Sequence, residues 1–148
     1  MFQKENPRVR VLCRLLLCLL LAAVICASVA CQKTQEPQGE TPTVIDTSYG
    51  EETAAHHFYL QVTDGEGNVK TLSVHTNETT VGRALTLHGI ITGENGPYGL
   101  YIKSVLGTVA DYDVTGTYWA FYENGAYAVK SADQTAIVDG AVYALKME

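Results

Sequence analysis

HHFYLQVTDGEGNVKTLSVHT, at residues 56–76, alternates apolar and polar residues on both sides of a central turn. The apolar residues that share a strand face are Phe58, Leu60 and Val62 in the first half, and Leu72 and Val74 in the second. An alternation with a period of two is typical of a half-buried strand. The segment DGEGN between the halves is rich in turn-forming residues, so the stretch predicts a β-hairpin.

The pattern changes period in TNETTVGRALTLHG, at residues 76–89. The residues at i, i+3, i+4 and i+7 are Val81, Ala84, Leu85 and His88. This spacing predicts one short amphipathic helix, with Asn77 or Thr79 as the cap at its start and Gly89 at its end.

Three later segments are predicted as strands: GLYIKSVLG at residues 99–107, TYWAFYENGAYAVK at residues 117–130 and GAVYALKME at residues 140–148. The middle segment is expected to fold back at Asn124 and Gly125, a common hairpin turn. The glycine-rich segments TDGEGN and TGENGPYG are interpreted as turns that join strands. One helix packed on one face of a mixed sheet would bury the apolar stripes economically, so the predicted fold class is α+β.

The first 30 residues have the composition of a secretory signal peptide. The basic residues that precede the uncharged run at residues 15–30 are Lys4, Arg8, Arg10 and Arg14. The run has 16 residues, whereas roughly 20 are needed to span a bilayer comfortably. We therefore expect residues 1–30 to be removed by a signal peptidase, and not retained as a transmembrane helix.

The segment SVAC, at residues 28–31, resembles the lipobox of bacterial lipoproteins, with the small Ala30 at the cleavage position. The resemblance implies cleavage before Cys31 and a diacylglyceryl group on its thiol. Ser28 is a departure, because such motifs more often have leucine there. The alternative is an ordinary secretory cleavage site followed by a buried cysteine. All four cysteines lie in or next to the signal segment, so the downstream domain can form no internal disulfide.

Residues 31–54 are predicted to be the lipidated cysteine and a disordered tether, because they are rich in Gln, Glu, Thr, Pro and Gly and have few apolar residues. Residues 55–148 are predicted to form a single domain. Without residues 1–30 the chain has six basic and fifteen acidic residues, a net charge of −9. Such a charge repels nucleic acid and anionic lipid heads, which excludes both as expected partners.

Several stretches resemble the C-terminal domain of transcobalamin and its bacterial relatives, many of which are surface-protein domains of unknown function. They are TVGRALTLHGI, YGLYIKSVLG, YWAFYENG and the VDG before the final strand. The resemblance covers about residues 56–148 and implies a β-grasp-like fold. The family usually has Gly-Asp where this chain has Gly140 and Ala141. In transcobalamin this domain closes over cobalamin together with a larger helical domain, so the resemblance implies cobalamin or another corrinoid as the ligand.

The aromatic stretch YWAFYENGAY, at residues 118–127, is the centre of the predicted ligand site. If Trp119 and Phe121 face the helix, the alternation of strand side chains turns Tyr118, Ala120 and Tyr122 to the outer face. A tyrosine-rich face offers a ligand flat apolar area and hydroxyl groups. The alternative is cross-strand aromatic pairing that only stabilises the sheet.

Other strands are expected to add Tyr59, Gln61 and Tyr101 to this outer face. The predicted ligand-binding residues are Tyr101, Tyr118, Trp119, Tyr122 and Asn124.

No metal site is predicted. DYDVTG, at residues 111–116, imitates the start of an EF-hand loop, but Tyr122 stands where that loop needs a bidentate glutamate, so an acidic surface turn is predicted. His56 and His57 would point to opposite faces of a strand and cannot readily share one ion. His88 is interpreted as a hydrogen-bonded or half-exposed histidine near the helix end.

The domain has no spacing typical of a catalytic triad, a nucleophilic cysteine or a phosphate-binding loop. We therefore expect a non-enzyme, without a cofactor other than the corrinoid ligand that the resemblance implies. The first functional hypothesis is a surface lipoprotein, held by its lipid anchor at the extracytoplasmic face of the cell membrane, that binds a small molecule. The alternative is a protein-interaction or adhesion module that docks onto a transporter or another surface protein.

Overall fold

The computed structural model describes Pro42 and residues 44–148. The predicted signal peptide, Cys31 and the first part of the predicted tether lie outside these residues. Within them, no helix is long and apolar enough to cross a bilayer.

The described part of the chain is built mainly of strands, in two sheets. The strands are β1 (Thr47–Tyr49), β2 (His56–Thr63), β3 (Val69–Thr76), β4 (Ile91–Gly96), β5 (Gly99–Val105), β6 (Thr108–Val109), β7 (Trp119–Glu123), β8 (Ala126–Tyr127) and β9 (Val142–Met147). The helices are α1 (Val81–Leu87) and α2 (Tyr112–Thr115), with a 3-10 turn at Ala132–Gln134.

The larger sheet has six strands in the order β1-β3-β2-β9-β7-β8. It is mixed, because β1 runs parallel to β3 and β2 parallel to β9, while its other neighbours are antiparallel. The predicted hairpin at residues 56–76 is confirmed as β2 and β3, with Phe58 opposite Val74 and Leu60 opposite Leu72. The α+β class with a mixed sheet is therefore confirmed.

The second sheet, β4-β5-β6, corrects the prediction of a single sheet. Residues 92–99 were interpreted as a turn, but Ile91–Gly96 is a strand that pairs with β5 and contains an irregularity between Thr92 and Gly93. Only Ile91 of this strand is buried. A strand that is exposed along almost its whole length has no apolar alternation to reveal it, so its pairing with β5 decides its conformation.

Helix α1 begins later than the sequence predicts. Its cap residue is Thr80, whose side chain makes no capping hydrogen bond, and not Asn77 or Thr79. Asn77 Oδ1 instead accepts a hydrogen bond from the Ala55 amide at 2.9 Å. The end of the helix is as predicted, because Gly89 follows it with a φ of 67° and donates its amide hydrogen to the Thr86 carbonyl, a common helix termination.

The hairpin of β7 and β8 turns at Asn124 and Gly125, which have φ angles of 51° and 78°. Two successive positive φ angles suit a two-residue hairpin turn, and this combination of residues tolerates them best. The predicted turn is confirmed.

One hydrophobic core joins the elements. Its members from the larger sheet are Phe58, Leu60, Val62, Leu72, Val74, Trp119, Phe121, Tyr143 and Leu145. Helix α1 adds Val81, Ala84 and Leu85, and the smaller sheet adds Ile91, Ile102 and Val105. The apolar stripe predicted for the helix is therefore the side that is buried.

Residues 47–49, which the sequence analysis placed in the tether, form strand β1 at the edge of the larger sheet. Asp46 holds the segment, since its amide donates to the Thr71 carbonyl at 2.8 Å and its carboxylate accepts from the Thr71 amide at 2.6 Å. Strand β1 is held by backbone hydrogen bonds and one carboxylate, and not by a row of apolar side chains. The composition of the segment therefore gives no indication that it forms a strand. The folded part of the chain therefore begins before residue 55.

Candidate ligand-binding site

A cavity of about 500 Å³ lies beside strand β7. It lies between the β4–β5 hairpin and the chain segment that follows β7. Its aromatic lining residues are Tyr98, Tyr101, Tyr118, Trp119, Phe121 and Tyr127. We call it the aromatic cavity.

The tip of the β4–β5 hairpin is tied to the 3-10 turn, and this contact shapes one wall of the cavity. The Leu100 amide donates to Asp133 Oδ1 at 2.9 Å, and Gln134 Nε2 donates to the Tyr98 carbonyl at 3.4 Å. Gly99 has a φ of 107°, and a Cβ atom there would lie 2.0 Å from Ser131 Oγ. Only glycine allows this close approach without strain.

The back wall is rigid because Trp119 is held in place. Its side chain is buried, and Nε1 donates a hydrogen bond to the Thr108 carbonyl at 3.2 Å. The rim of the cavity is more open, since Tyr98 is 90 % exposed. The ammonium of Lys103 lies 4.9 Å from the centre of the Tyr101 ring.

One polar atom of the lining has no hydrogen-bond partner within the described residues. This is Ser131 Oγ, which is buried and belongs to a lining residue of the aromatic cavity. A buried hydroxyl without a partner costs about 1–3 kcal/mol.

Three of the five predicted site residues line the aromatic cavity, namely Tyr101, Tyr118 and Trp119. Tyr122 and Asn124 are not among its lining residues. Asn124 forms the hairpin turn and lines a separate depression with Tyr127 and Val129.

Tyr122 is engaged with charged neighbours outside the cavity. Its hydroxyl donates to Glu148 Oε1, and Lys146 Nζ lies 4.3 Å from the centre of its ring. The hydrogen bond to Glu148, followed by desolvation, raises the pKa of Tyr122 to about 12. Its hydroxyl therefore stays protonated throughout the physiological pH range.

The structure corrects the prediction of one tyrosine-rich outer face. Tyr101 belongs to β5 in the smaller sheet, whereas Tyr59 and Gln61 belong to β2 in the larger sheet. Ala120, expected on the outer face, is buried. A single face could not form because the strands divide between two sheets.

Sequence reasoning missed Tyr98, Tyr127 and Ser131 as lining residues. Tyr98 lies in the segment that was interpreted as a simple turn, and Tyr127 lies in the aromatic stretch but was not selected. No local sequence pattern marks Ser131 as a lining residue, since its position at the cavity wall depends on its contact with Gly99.

DYDVTG contains helix α2, which is capped by Asp111 through a hydrogen bond from the Asp113 amide at 3.1 Å. Lys103 Nζ lies 3.3 Å from Asp111 Oδ2. Within residues 42 and 44–148, no group of three or more His, Cys, Asp or Glu side chains is placed to hold a metal ion.

The four histidines lie in three environments. His56 Nδ1 lies 3.2 Å from Asp139 Oδ1, and His88 Nε2 is 3.0 Å from the His75 carbonyl oxygen. The half-exposed, hydrogen-bonded state predicted for His88 is confirmed. His57 and His75 are stacked on each other, and burial, followed by the proximity of His75, lowers the pKa of His57.

No family model matches the chain, and no curated protein matches it either. Among solved structures, a Ruminococcus gnavus protein with the provisional description of metal-binding protein matches with a TM-score of 0.59 and 29 % identity, over 63 % of this chain and 96 % of its own. The cobinamide complex of haptocorrin matches with a TM-score of 0.47 and 18 % identity, over 63 % of this chain and 25 % of haptocorrin. The folded part of this chain thus shares its fold with the Ruminococcus protein.

Proposed function

We propose that this chain is a surface lipoprotein whose folded domain binds a small molecule in the aromatic cavity, without catalysis. The observation that carries the proposal is the cavity itself, with its six aromatic side chains. Ligand sites are typically concave and mostly apolar, with a few placed polar groups that set orientation. A non-catalytic role is proposed because the sequence of the domain has no catalytic-triad spacing, nucleophilic cysteine or phosphate-binding loop.

A corrinoid is the proposed ligand, on the strength of the resemblance to the transcobalamin C-terminal domain. A flat, largely apolar macrocycle suits an aromatic lining. A cavity of about 500 Å³ covers one side of so large a molecule, while tight sites bury most of the ligand surface. We therefore expect weak binding by this domain alone and tighter binding when a second protein covers the other side.

The description of the Ruminococcus protein points instead to a metal ion as its ligand. In this chain the lining of the aromatic cavity is mainly aromatic, with Glu94 as its carboxylate. Metal sites in proteins are built from several N, O or S ligands around one ion. The cavity is therefore better suited to an organic ring than to an ion.

Alanine at Tyr101 or Tyr118 is expected to weaken corrinoid binding about tenfold, because each change removes an aromatic contact from the cavity wall. The measurement is a calorimetric titration with cobinamide and with cobalamin, followed in parallel by Trp119 fluorescence. Tyr122→Ala is the matched control, since Tyr122 lies on the same strand as Trp119 but is not part of the lining.

Saturable binding that is lost in Tyr101→Ala and Tyr118→Ala but kept in Tyr122→Ala would support the proposal. Equal loss in all three variants would contradict the location of the site. No heat and no fluorescence change with either corrinoid would contradict the proposed ligand.

Membrane anchoring through Cys31 is the second part of the proposal and is supported by the SVAC motif. Cys31→Ala is expected to move the protein from the membrane fraction to the soluble fraction, because the diacylglyceryl group and the further acyl chain of a lipoprotein hold it at the bilayer. Fractionation and immunoblotting measure the change. Cys26→Ala is the control and should stay with the membrane, and a Cys31→Ala protein that fractionates like the parent would contradict lipid anchoring at this residue.

A protein-docking role is the second candidate, and a specific surface favours it. Strand β8 is an edge strand of the larger sheet, and next to it Tyr127, Val129 and Val138 are exposed apolar residues. Edge strands and apolar patches are common sites of protein association. This role predicts that Val138→Asp abolishes complex formation while corrinoid titrations stay unchanged, because Val138 is exposed and is not part of the cavity lining.

A further inference from the structure

The tripeptide Glu-Asn-Gly occurs twice in the chain, at residues 94–96 and at residues 123–125. An asparagine that precedes glycine is chemically labile, because glycine has no side chain to hinder attack by its amide nitrogen on the asparagine side-chain carbonyl. Asn95 and Gly96 are the last two residues of β4, whereas Asn124 and Gly125 form the loop between β7 and β8. Since the two tripeptides are identical, a difference in their reactivity has to come from the fold.

The amide of Gly96 is held within the smaller sheet. The Leu100 amide donates to Asp133 Oδ1 at 2.9 Å, so it does not donate to Asn95, its partner in the β4–β5 ladder. Hydrogen-bonded and non-hydrogen-bonded pairs alternate along an antiparallel ladder. The next pair, Gly96 and Gly99, is therefore the hydrogen-bonded one, and the Gly96 amide donates to the Gly99 carbonyl. The nitrogen that would attack Asn95 is thus already engaged.

The amide of Gly125 lies in the opposite situation. The last pair of the β7–β8 ladder is Glu123 with Ala126, so Gly125 lies beyond the ladder. Its amide donates to no backbone carbonyl among the described residues, and both Asn124 and Gly125 are exposed. A base from solvent can therefore reach this N–H group and remove its proton.

The two hairpins also differ in how easily they open. Attack on the asparagine side chain requires the backbone of the pair to rotate away from its hairpin geometry. Strand β8 has two exposed residues and lies at the edge of the larger sheet. Strand β4 is longer, with six residues, and the hairpin that it forms with β5 is tied to the 3-10 turn through Asp133. Short exposed segments open locally at low cost, so the required rotation is easier at Asn124 than at Asn95.

We propose that Asn124 is a modification site, at which the chain deamidates spontaneously to isoaspartate and aspartate. A solvent base takes the Gly125 amide proton, and the nitrogen attacks Asn124 Cγ. The bond from Cγ to the side-chain nitrogen breaks, and this nitrogen takes up a proton from water and leaves as ammonia. Water then adds to one of the two carbonyls of the succinimide ring and opens it. The balance is one water consumed and one ammonia released for each asparagine converted.

The isoaspartyl product changes the path of the backbone. Its main chain runs through the former side chain, which adds one carbon between residues 124 and 125. The two-residue turn depends on two successive positive φ angles, and the longer backbone cannot reproduce it. We therefore expect the β7–β8 hairpin to open, and Tyr127 to lose its position opposite Tyr122 and in the wall of the aromatic cavity. The aspartyl product keeps the turn, because Asp-Gly also suits it.

The proposal is tested by incubating the full chain in mildly alkaline buffer and following each tryptic peptide by mass spectrometry. Cleavage at Lys103 separates the two tripeptides, and the change from amide to acid raises the peptide mass. Electron-transfer fragmentation distinguishes isoaspartate from aspartate. Conversion at Asn124 is expected to be at least about tenfold faster than at Asn95, because the Gly96 hydrogen bond and the slower strand opening both protect Asn95. In urea that unfolds the chain, the two rates should become similar.

The opening of the hairpin is measured by hydrogen exchange of the Ala128 amide, which donates to the Phe121 carbonyl at 2.9 Å. Exchange should be faster in the isoaspartyl protein than in the fresh protein. Asn124→Gly is the matched control, since Gly-Gly also suits this turn and glycine has no side-chain amide to lose. After the same incubation its Ala128 amide should exchange at the original rate.

Two results would overturn the assignment of the site. They are an Asn124 that stays unconverted in the folded chain while the unfolded chain reacts, and an Asn95 that reacts as fast as Asn124 in the folded chain. Unchanged exchange at Ala128 in the isoaspartyl protein would overturn the structural consequence.

Discussion

Tyr143→Ala is expected to destabilise the domain by about 3–5 kcal/mol, the range for removing a large aromatic side chain from a core. Tyr143 is fully buried on β9, between its two neighbours in the larger sheet. Its ring meets Phe58 edge-on at 5.5 Å and stacks on Phe121 at 6.0 Å. The cavity left behind would therefore border both strands that flank β9.

The hydroxyl of Tyr143 adds a second, separable contribution. It accepts a hydrogen bond from the Val138 amide at 3.1 Å and donates one to the Ala136 carbonyl at 3.2 Å. These bonds attach the segment before β9 to the core. Tyr143→Phe keeps the ring and removes the hydroxyl, so about 1–2 kcal/mol is expected from the two backbone groups left without a partner.

Urea unfolding followed by Trp119 fluorescence measures both changes. The expected order of stability is parent, then Tyr143→Phe, then Tyr143→Ala. A Tyr143→Ala protein within about 1 kcal/mol of the parent would contradict this account of the core, because it would mean that the site collapses without a cavity.

Gly82→Ala is expected to destabilise the domain by about 2 kcal/mol, although alanine is normally the better helix former. Gly82 is a buried residue in the first turn of α1. A Cβ atom there would lie 2.4 Å from the Asp133 amide nitrogen and 2.8 Å from the Ala132 carbonyl carbon. These are backbone atoms of the 3-10 turn, so no side-chain rotation can relieve the overlap. Overpacking of this kind costs about 1–3 kcal/mol, more than the gain in helix propensity of at most about 1 kcal/mol.

Arg83→Ala is the matched control, since Arg83 is the next residue of the same helix and its side chain is 69 % exposed. Its ion pair with Glu78 lies at the surface and contributes about 0–1 kcal/mol. The same urea experiment should show little change for Arg83→Ala and a clear loss for Gly82→Ala. A Gly82→Ala protein as stable as the parent would show that the 3-10 turn moves away from α1 at little cost.

The Gly82 contact also connects stability to the proposed site. The 3-10 turn that packs against Gly82 carries Asp133, which accepts a hydrogen bond from the Leu100 amide at the tip of the β4–β5 hairpin. Displacement of this turn would move Ser131 and the hairpin together. We therefore expect Gly82→Ala to weaken corrinoid binding as well as folding, if the aromatic cavity is the site.

Local sequence patterns were enough to predict the type and position of the elements whose side chains repeat with a clear period. Strands β2 and β3, the buried side of α1, the turn at Asn124 and Gly125, and the final strand all follow from local patterns, because a half-buried strand or helix must alternate with the period of its backbone. These patterns were sufficient for the α+β class. Together with the family resemblance, the patterns led to Tyr101, Tyr118 and Trp119 as candidate residues, and the structure places these three in the lining of the aromatic cavity.

The conformation and the strand partners of elements without such a pattern depend on tertiary contacts. Strand β1 is a short edge strand held by backbone pairing and Asp46, and β4 is exposed along most of its length. Their conformations depend on partner strands that are distant in sequence or that follow them, and no local periodicity records such partners. For the same reason the sequence predicted one sheet and one tyrosine face where there are two sheets.

The aromatic cavity and the histidine pair have the same origin. The Ser131 side chain fits at the cavity wall because Gly99 has no side chain to collide with it, and His75 meets His57 because β2 and β3 pair in one register. A site made of side chains from separate elements exists only after those elements have packed. The residue types decide which chemical groups the site can offer. The geometry of the site depends on how separate elements pack around the shared core, and no single segment of the chain can specify that packing alone.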